Sequence, residues 1–304
     1  MKRLLFVFNP HSGKGQIKNH LLGIVKIFSD AKYEVTVYPT RAEKDGYRHI
    51  LENIDRFDML VCSGGDGTLN ETVNAVIESG RTDIDIGYIP SGTTNDFATS
   101  LGIPKDMIAA ANHIVSGEPM LCDVGIINGE RYFNYVAAFG AFTAVSYATP
   151  QSLKNVLGHQ AYLLEAVKSL TTLKPYNITL KTDNSYAKGK YVYGMVSNTK
   201  SVGGIKGLAG NYVDLQDGLF EVTLIKEIKT PVEIQQLMTA FLTQKYSECD
   251  MILSVKAKHI EIESDEPVRW TLDGEFGGEY KKTDFDVLGS AVKFIIKKRK
   301  HKNF

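Results

Sequence analysis

The sequence predicts an α/β domain built on a doubly wound parallel sheet, followed by a mostly antiparallel β-sandwich domain. Three observations carry this. Up to Asp123, apolar strand-like runs alternate with segments of helical period, the pattern of parallel βα units. Glycine-rich turns fall where those strands end and the helices begin. From Val124 onward strand-like runs follow one another through Asn128-Gly129 and Asp217-Gly218, dipeptides of hairpin turns. The expected boundaries are 1–123 and 124–289, with a tail from about 290 to 304 able to pack back on the first domain.

In order, Arg3 to Asn9 reads as the first strand, and Pro10-His11-Ser12-Gly13-Lys14-Gly15 leads into a helix with Ile17, Leu21, Val25 and Phe28 on its apolar positions. Tyr33 to Thr40 is a second strand, followed by a polar helix from about Ala42 to Asn53. Phe57 to Val61 is a buried strand that opens into Cys62-Ser63-Gly64-Gly65-Asp66-Gly67-Thr68-Leu69-Asn70-Glu71, and Leu69, Val73, Val76 and Ile77 begin the next helix. Ile84 to Pro90 is a fourth strand; Pro90-Ser91-Gly92-Thr93-Thr94-Asn95-Asp96-Phe97-Ala98 starts a helix to about Val115. Strands are then expected at 124–127, 131–138, 177–182, 190–198, 219–225, 259–264 and 269–273, with helices near 160–173 and 231–241 and an apolar terminal strand before the basic run Lys297–Lys302.

The turns point to anion binding. Three glycines among residues 64–67 permit backbone angles that side chains forbid and let a phosphate approach main-chain N–H groups, beside the positive end of a new helix. Asp66, the one acid in this turn, suits a metal or a nucleotide. In an open α/β sheet the ligand crevice lies beyond the carboxyl ends of the strands, where all three turns fall. Ser12-Gly13-Lys14-Gly15 is not a P-loop, which requires G-x-x-x-x-G-K-[ST]. Lys14 suits either a phosphate or an acidic partner, and also a solvated loop; Asp96, with Asn95, suits a helix N-cap.

Composition narrows the class. Thirty-five basic and 35 acidic residues cancel, leaving no overall field that would favour nucleic acid. Three isolated cysteines, Cys62, Cys122 and Cys249, read as reduced thiols of a cytoplasmic protein. The apolar N-terminal run is too short for a signal peptide, and the longest weakly polar stretch, Tyr135 to Ala148, falls short of the roughly 18 residues a membrane helix needs. If the substrate is a lipid it must be met at the membrane surface; the basic tail suits a solvated end or an anionic lipid surface, where each charge gains about 1 kcal/mol.

With these pieces assembled, the chain resembles the diacylglycerol kinase catalytic-domain family, which includes soluble bacterial diacylglycerol kinases, YegS-like lipid kinases and the sphingosine and ceramide kinases. The resemblance rests on Asn9-Pro10-x-Ser12-Gly13-Lys14, on Gly64 to Glu71, on Pro90-x-Gly92-Thr93-x-Asn95-Asp96-Phe97-Ala98, on Asp217-Gly218 and on Asp273-Gly274-Glu275. These occur in the family's order from residue 9 to 275. The resemblance implies an active site between the two domains. ATP would be held by Asn9, Ser12, Gly65, Asp66, Gly67, Thr68, Asn70, Gly92, Thr93 and Thr94. Glu275 would be the general base toward the lipid hydroxyl, with Asp66 and Asp96 near the reacting groups and a catalytic Mg²⁺, for which Asp273 is a further carboxylate. A structural Mg²⁺ would lie at Asp217, Leu219 and Asp214, with Lys14 and Asp123 in the surrounding network.

Diacylglycerol is the leading substrate, because the chain is compact and carries the Lys14/Asp123/Asp217 set. Phosphatidylglycerol, sphingoid bases and other lipid alcohols remain alternatives; residues 136–148 and the helix near 160–173 suit either a lipid groove or a core. NAD kinases share the Gly-Gly-Asp-Gly-Thr turn but lack the 90–98 run, and a non-catalytic nucleotide-binding module would not need Glu275. An exposed β edge permits a homodimer.

Overall fold

The computed structural model describes residues 1–92, 95–140, 163–203, 205–209 and 213–297. The chain forms two compact units: Met1–Asp123 together with Gly289–Phe304, and Val124–Leu288.

In the first unit β1 (Lys2–Phe8) pairs in parallel with β2 (Tyr33–Pro39) on one side and β3 (Met59–Gly64) on the other, and β3 pairs in parallel with β4 (Asp85–Pro90). Helix α1 (Ile17–Asp30) packs on α5 (Met107–Ser116), and α2 (Asp45–Asn53) packs on α3 (Asp66–Glu78). β3 is buried along its whole length, as a parallel strand covered on both faces must be. Leu4, Phe6, Val61, Ile86 and Tyr88 form the sheet's core, met by Ile24 and Phe28 of α1 and by Leu69, Val73 and Val76 of α3. The helix expected from 96 to 115 is two helices, α4 (Asp96–Leu101) and α5, because Gly102 at φ +70° caps the first and Pro104 follows it. The polar second helix begins at Asp45 rather than Ala42, after Lys44 at φ +58°.

The second unit is antiparallel. β5 (Glu118–Ile127) enters it and pairs with β6 (Arg131–Phe133). β7 (Val136–Phe139) lies between β9 (Tyr186–Ser197) and β14 (His259–Leu272); the other halves of those two long strands flank β8 (Tyr176–Thr182). Pairing thus closes a ring, β7–β9–β8–β14, around Phe133, Phe139, Phe220, Trp270 and Phe285. Edge-to-face contacts link Trp270 to Phe139 and Phe285 at 5.1 and 4.9 Å. Each such buried phenylalanine contributes about 1.5–3 kcal/mol. β10 (Ser201–Val202) and β11 (Ile205–Lys206) pair with each other as a short antiparallel ribbon, and β12 (Phe220–Lys226) and β13 (Ile252–Ala257) extend the main sheet beyond β9.

Several strands differ from expectation, among them β14, which runs unbroken over His259–Leu272 where two strands were expected. The single strand 131–138 is broken between β6 and β7. β13 was absent from the sequence reading. β15 (Glu275–Ile296) is a 22-residue strand, whereas only its end was expected. Its last residues belong to the first unit, where Lys293 and Phe294 pair in parallel with Asp85 and Ile86 of β4.

Candidate functional site

Three turns converge in the first unit, and the glycines explain how. After β1, the Asn9 N–H donates to the Ser63 carbonyl (2.9 Å), and the Asn9 side chain accepts the His11 N–H (2.9 Å), which curls residues 9–12 back over the end of β3. After β3, Gly64 must be glycine, since a β-carbon there would fall 2.3 Å from the Thr68 side chain. After β4, the Ser91 and Gly92 N–H groups both donate to the Gly64 carbonyl, at 2.9 and 3.2 Å. A β-carbon on Gly92 would lie 2.6 Å from the Gly65 Cα, and one on Gly65 would lie 3.9 Å from Ser12 Oγ. The Asn9, Gly65 and Gly92 turns therefore share one concave patch of backbone.

Asn95 holds that patch in shape. It sits at φ +53°, where asparagine is tolerated, and turns its side chain back on the loop. Its Oδ1 accepts the Gly92 N–H (3.0 Å), and its Nδ2 donates to the Gly92 carbonyl (2.7 Å). The Tyr88 hydroxyl lies 3.2 Å from the Gly64 carbonyl and 3.3 Å from Asn95 Oδ1, joining β4 to both turns. Burial, and then the nearby Asp66 carboxylate, hold this phenol well above its ordinary pKa, so it stays a neutral donor.

Asp66 opens α3 and is half-buried; no side chain caps that helix at Gly65, which leaves its positive end to the patch. Thr68 and Asn70 follow in the first turn, each half-buried, and the carbonyls of both accept from the next turn: Thr72 Oγ1 at 2.8 Å and Asn74 Nδ2 at 2.8 Å. Asp96 opens α4 at 4% exposure. The Ser63 and Ser91 hydroxyls are buried here without a hydrogen-bond partner among the described residues. Thr93 and Thr94 lie outside the described residues. Asp123 accepts the Ser290 N–H at 2.7 Å where the chain re-enters this unit, and exposed Lys14 makes no ion pair among the described residues.

In the second unit Glu275 is exposed on the first position of β15, directly after the Asp273-Gly274 turn and paired with Leu272. Asp273 is buried at 4% exposure, and its carboxylate is occupied by backbone: it accepts the N–H groups of Asn134 (2.6 Å), Tyr135 (3.0 Å) and Val136 (3.1 Å). These bonds take up three of the acceptor directions on which the expected magnesium role of Asp273 would draw. Asp217 Oδ1 accepts the Leu219 N–H (3.1 Å) and Oδ2 takes Lys256 Nζ (3.1 Å); Asp214 accepts the Gln216 N–H (3.2 Å). Lys256 also stands 3.0 Å from Glu221 Oε1; this carboxylate is 2% exposed, and burial, partly offset by the lysine, pushes its pKa up to about 7. Among the described residues no three His, Cys, Asp or Glu side chains gather as a metal cluster. An ion at the Asp214–Leu219 turn would need backbone carbonyl and water as well. Residues 141–148 and 160–162 of the expected lipid lining, and the basic tail beyond 297, lie outside the described residues.

The sequence reading missed Asn95 and Tyr88 as the latch of the turns, Asp273 as a backbone clamp and Lys256 as the partner of Asp217. Only Asn95 carried a signal, being a polar residue tolerant of positive φ inside the 90–98 run.

Residues 3–127 match the sequence profile of the diacylglycerol kinase catalytic domain, and residues 136–296 match the YegS C-terminal NAD kinase beta sandwich-like domain. The chain is 34% identical over 282 residues to a diacylglycerol kinase of Bacillus subtilis (strain 168), covering 91% of both. It is 33% identical over 282 residues to a diacylglycerol kinase of Staphylococcus aureus (strain MRSA252), covering 91% of this chain and 87% of that one. Its fold is similar to the crystal structure of a diacylglycerol kinase from Bacillus anthracis strain Sterne, with a TM-score of 0.76, 24% identity and 97% of both chains covered. A second structure from that organism gives a TM-score of 0.82 at 26% identity, over 97% of this chain and 95% of that one.

Proposed function

The chain belongs to the diacylglycerol kinase catalytic-domain family, and from that premise we propose that it transfers the γ-phosphoryl group of ATP to a lipid hydroxyl, converting diacylglycerol to phosphatidic acid. The observation that carries the reading is the close approach of the three turns, where a β-carbon on Gly13 would fall 2.2 Å from the Ser91 carbonyl oxygen and one on Gly92 would fall 2.6 Å from the Gly65 Cα. Such a surface offers main-chain N–H groups and an uncapped helix N-terminus to phosphate oxygens. Asn9, Ser12, Gly65, Asp66, Gly67, Thr68, Asn70 and Gly92 are assigned to the nucleotide, with Thr93 and Thr94 assigned beside them from the sequence.

Phosphoryl transfer depends mainly on positioning and charge neutralisation. The lipid oxygen attacks the γ-phosphorus as the bond to the β-phosphate oxygen breaks and ADP leaves. Glu275 accepts the hydroxyl proton, a role typically worth 10²–10⁴-fold. The carboxylates of Asp66 and Asp96, each opening a helix beside the cradle, have the oxygen chemistry a hard cation requires. Mg²⁺, when bound there, would neutralise charge on the phosphate oxygens. Asp214, Asp217 and the Leu219 carbonyl form an equally oxygen-rich turn for a structural ion, although Lys256 already supplies Asp217 with positive charge. Lys14 and Asp123 are assigned to its surroundings.

We place the enzyme in the cytoplasm, a reading supported by three buried, unpaired thiols, and have it meet its substrate at the membrane surface. Among the described residues no helix is long and apolar enough to cross a membrane. β2 pairs only with β1 among the described strands, an edge that a second copy could use.

The test is incubation with γ-labelled ATP, Mg²⁺ and mixed micelles holding one lipid at a time, beside Glu275→Ala. Labelled phosphatidic acid that disappears in the variant is the expected result. Label passing only to another lipid changes the substrate, and label passing only to NAD, or to nothing, overturns the reading.

A further inference from the structure

We propose that Asp273 is a positioning residue for Glu275, clamping the turn that carries it to the break between β6 and β7; this rests on the reading of Glu275 as the base. The β14–β15 hairpin turns through two residues, Asp273 at φ +49° and Gly274 at φ +96°, and resumes pairing at Leu272 and Glu275. Those positive angles are the requirement of a two-residue hairpin turn of the type I′ class.

Four hydrogen bonds then fasten that turn to one place. Asp273 Oδ2 accepts the Asn134 N–H, Oδ1 accepts the N–H groups of Tyr135 and Val136, and the Asp273 N–H donates to the Val136 carbonyl at 2.8 Å. Bonds from N–H to a carboxylate are charge-assisted and roughly twice as strong as neutral ones. Three such donors make burial of this anion tolerable. They also occupy three of its roughly four lone-pair directions, so a cation bound by both oxygens would displace backbone donors.

Glu275 lies two residues on. Among the described residues its carboxylate has no hydrogen bond or ion pair, so nothing holds it except the backbone from which it projects. The position of the base is therefore the position of the turn, and the turn is set by Asp273. Misplacing a reacting group by about 1 Å can cost on the order of 10²-fold in rate.

The test compares Asp273→Asn, Glu275→Gln and the double variant in the micelle assay. Asp273→Asn keeps one acceptor oxygen but turns an amide N–H₂ toward backbone donors. We expect kcat to fall about 10–100-fold with KM for ATP and the Mg²⁺ midpoint of activity unchanged. The double variant should be no slower than Glu275→Gln, since the two residues act as one unit. Gly274→Ala, which strains the turn at φ +96° while leaving both carboxylates, should show the same signature, and it decides the matter if Asp273→Asn does not fold. Losses that multiply in the double variant, a shifted Mg²⁺ midpoint, or full activity in both turn variants would overturn the proposal. Activity surviving in Glu275→Gln alone removes the base itself and the proposal with it, a result separable from the others because Asp273 is intact.

Discussion

A β-carbon on Gly13 would fall 2.2 Å from the carbonyl oxygen of Ser91, so the turns after the first and fourth strands meet backbone to backbone. Gly13 also sits at φ +58°. Substitution there faces both a steric and a conformational barrier, and no flexible side chain is available to move aside.

Gly13→Ala and Gly92→Ala should each raise KM for ATP at least about tenfold and lower stability by roughly 1–3 kcal/mol, the usual effect of overpacking. Gly102→Ala has open space around it and serves as control: its φ of +70° should cost about 1–2 kcal/mol with KM unaltered. Isothermal titration with a non-hydrolysable ATP analogue, beside urea unfolding, separates the two effects.

Asn95→Ala removes two hydrogen bonds to Gly92 and leaves the Tyr88 hydroxyl with one acceptor fewer. Each bond is worth about 0.5–1.5 kcal/mol, and the loop should lose its register against Gly64. ATP affinity should drop more than for Tyr88→Phe, which leaves both Asn95–Gly92 bonds in place. Equal losses in the two variants, measured by nucleotide titration, would contradict the latch.

The Trp270 indole is fully buried between Phe139 and Phe285 at the centre of the second unit. Trp270→Ala should destabilise by about 3–5 kcal/mol, read as a lower urea midpoint, while Trp270→Phe loses much less.

His113 on α5 is 7% exposed, and burial, reinforced by repulsion from Lys297, lowers its pKa below the usual value of 6.5. Its Nε2 has no hydrogen-bond partner among the described residues. On acidification the unfolded chain takes up this proton before the folded one, so stability is lost as pH falls from about 6.5 toward the lower folded value. Urea midpoints at pH 7.5 and 5.5 should therefore diverge more for the native protein than for His113→Leu. Parallel behaviour of the two proteins would show that His113 is not responsible.

How much of this was legible beforehand depends on the range of the interaction. The glycine turns could be read because a positive φ or a close backbone approach is a local demand that residue type reveals, as at Gly13 and Gly92. The split of the 96–115 helix was also written locally, in Gly102 and Pro104. The role of Asp273 was not, since its acceptor bonds reach residues 137 to 139 positions away and depend on a break in pairing that no dipeptide marks. β15 escaped recognition because Gly277-Gly278 and Gly289-Ser290, with Gly278 and Ser290 at positive φ, read as turns and divide its alternating stretches. Lys256 looked like one more surface lysine until β13 paired with β12 and brought it beside Glu221.

The short parallel pairing of Lys293 and Phe294 with β4 has a consequence for synthesis on the ribosome. All the other strands of the first unit's parallel sheet have emerged by residue 90, yet the strand that covers the edge of β4 is translated only after the whole second unit, Val124–Leu288. Throughout elongation that edge carries unpaired N–H and C=O groups, an invitation to pair with another chain. A fragment ending at Asp123 would keep the edge permanently open, so it should aggregate where the full chain stays dispersed.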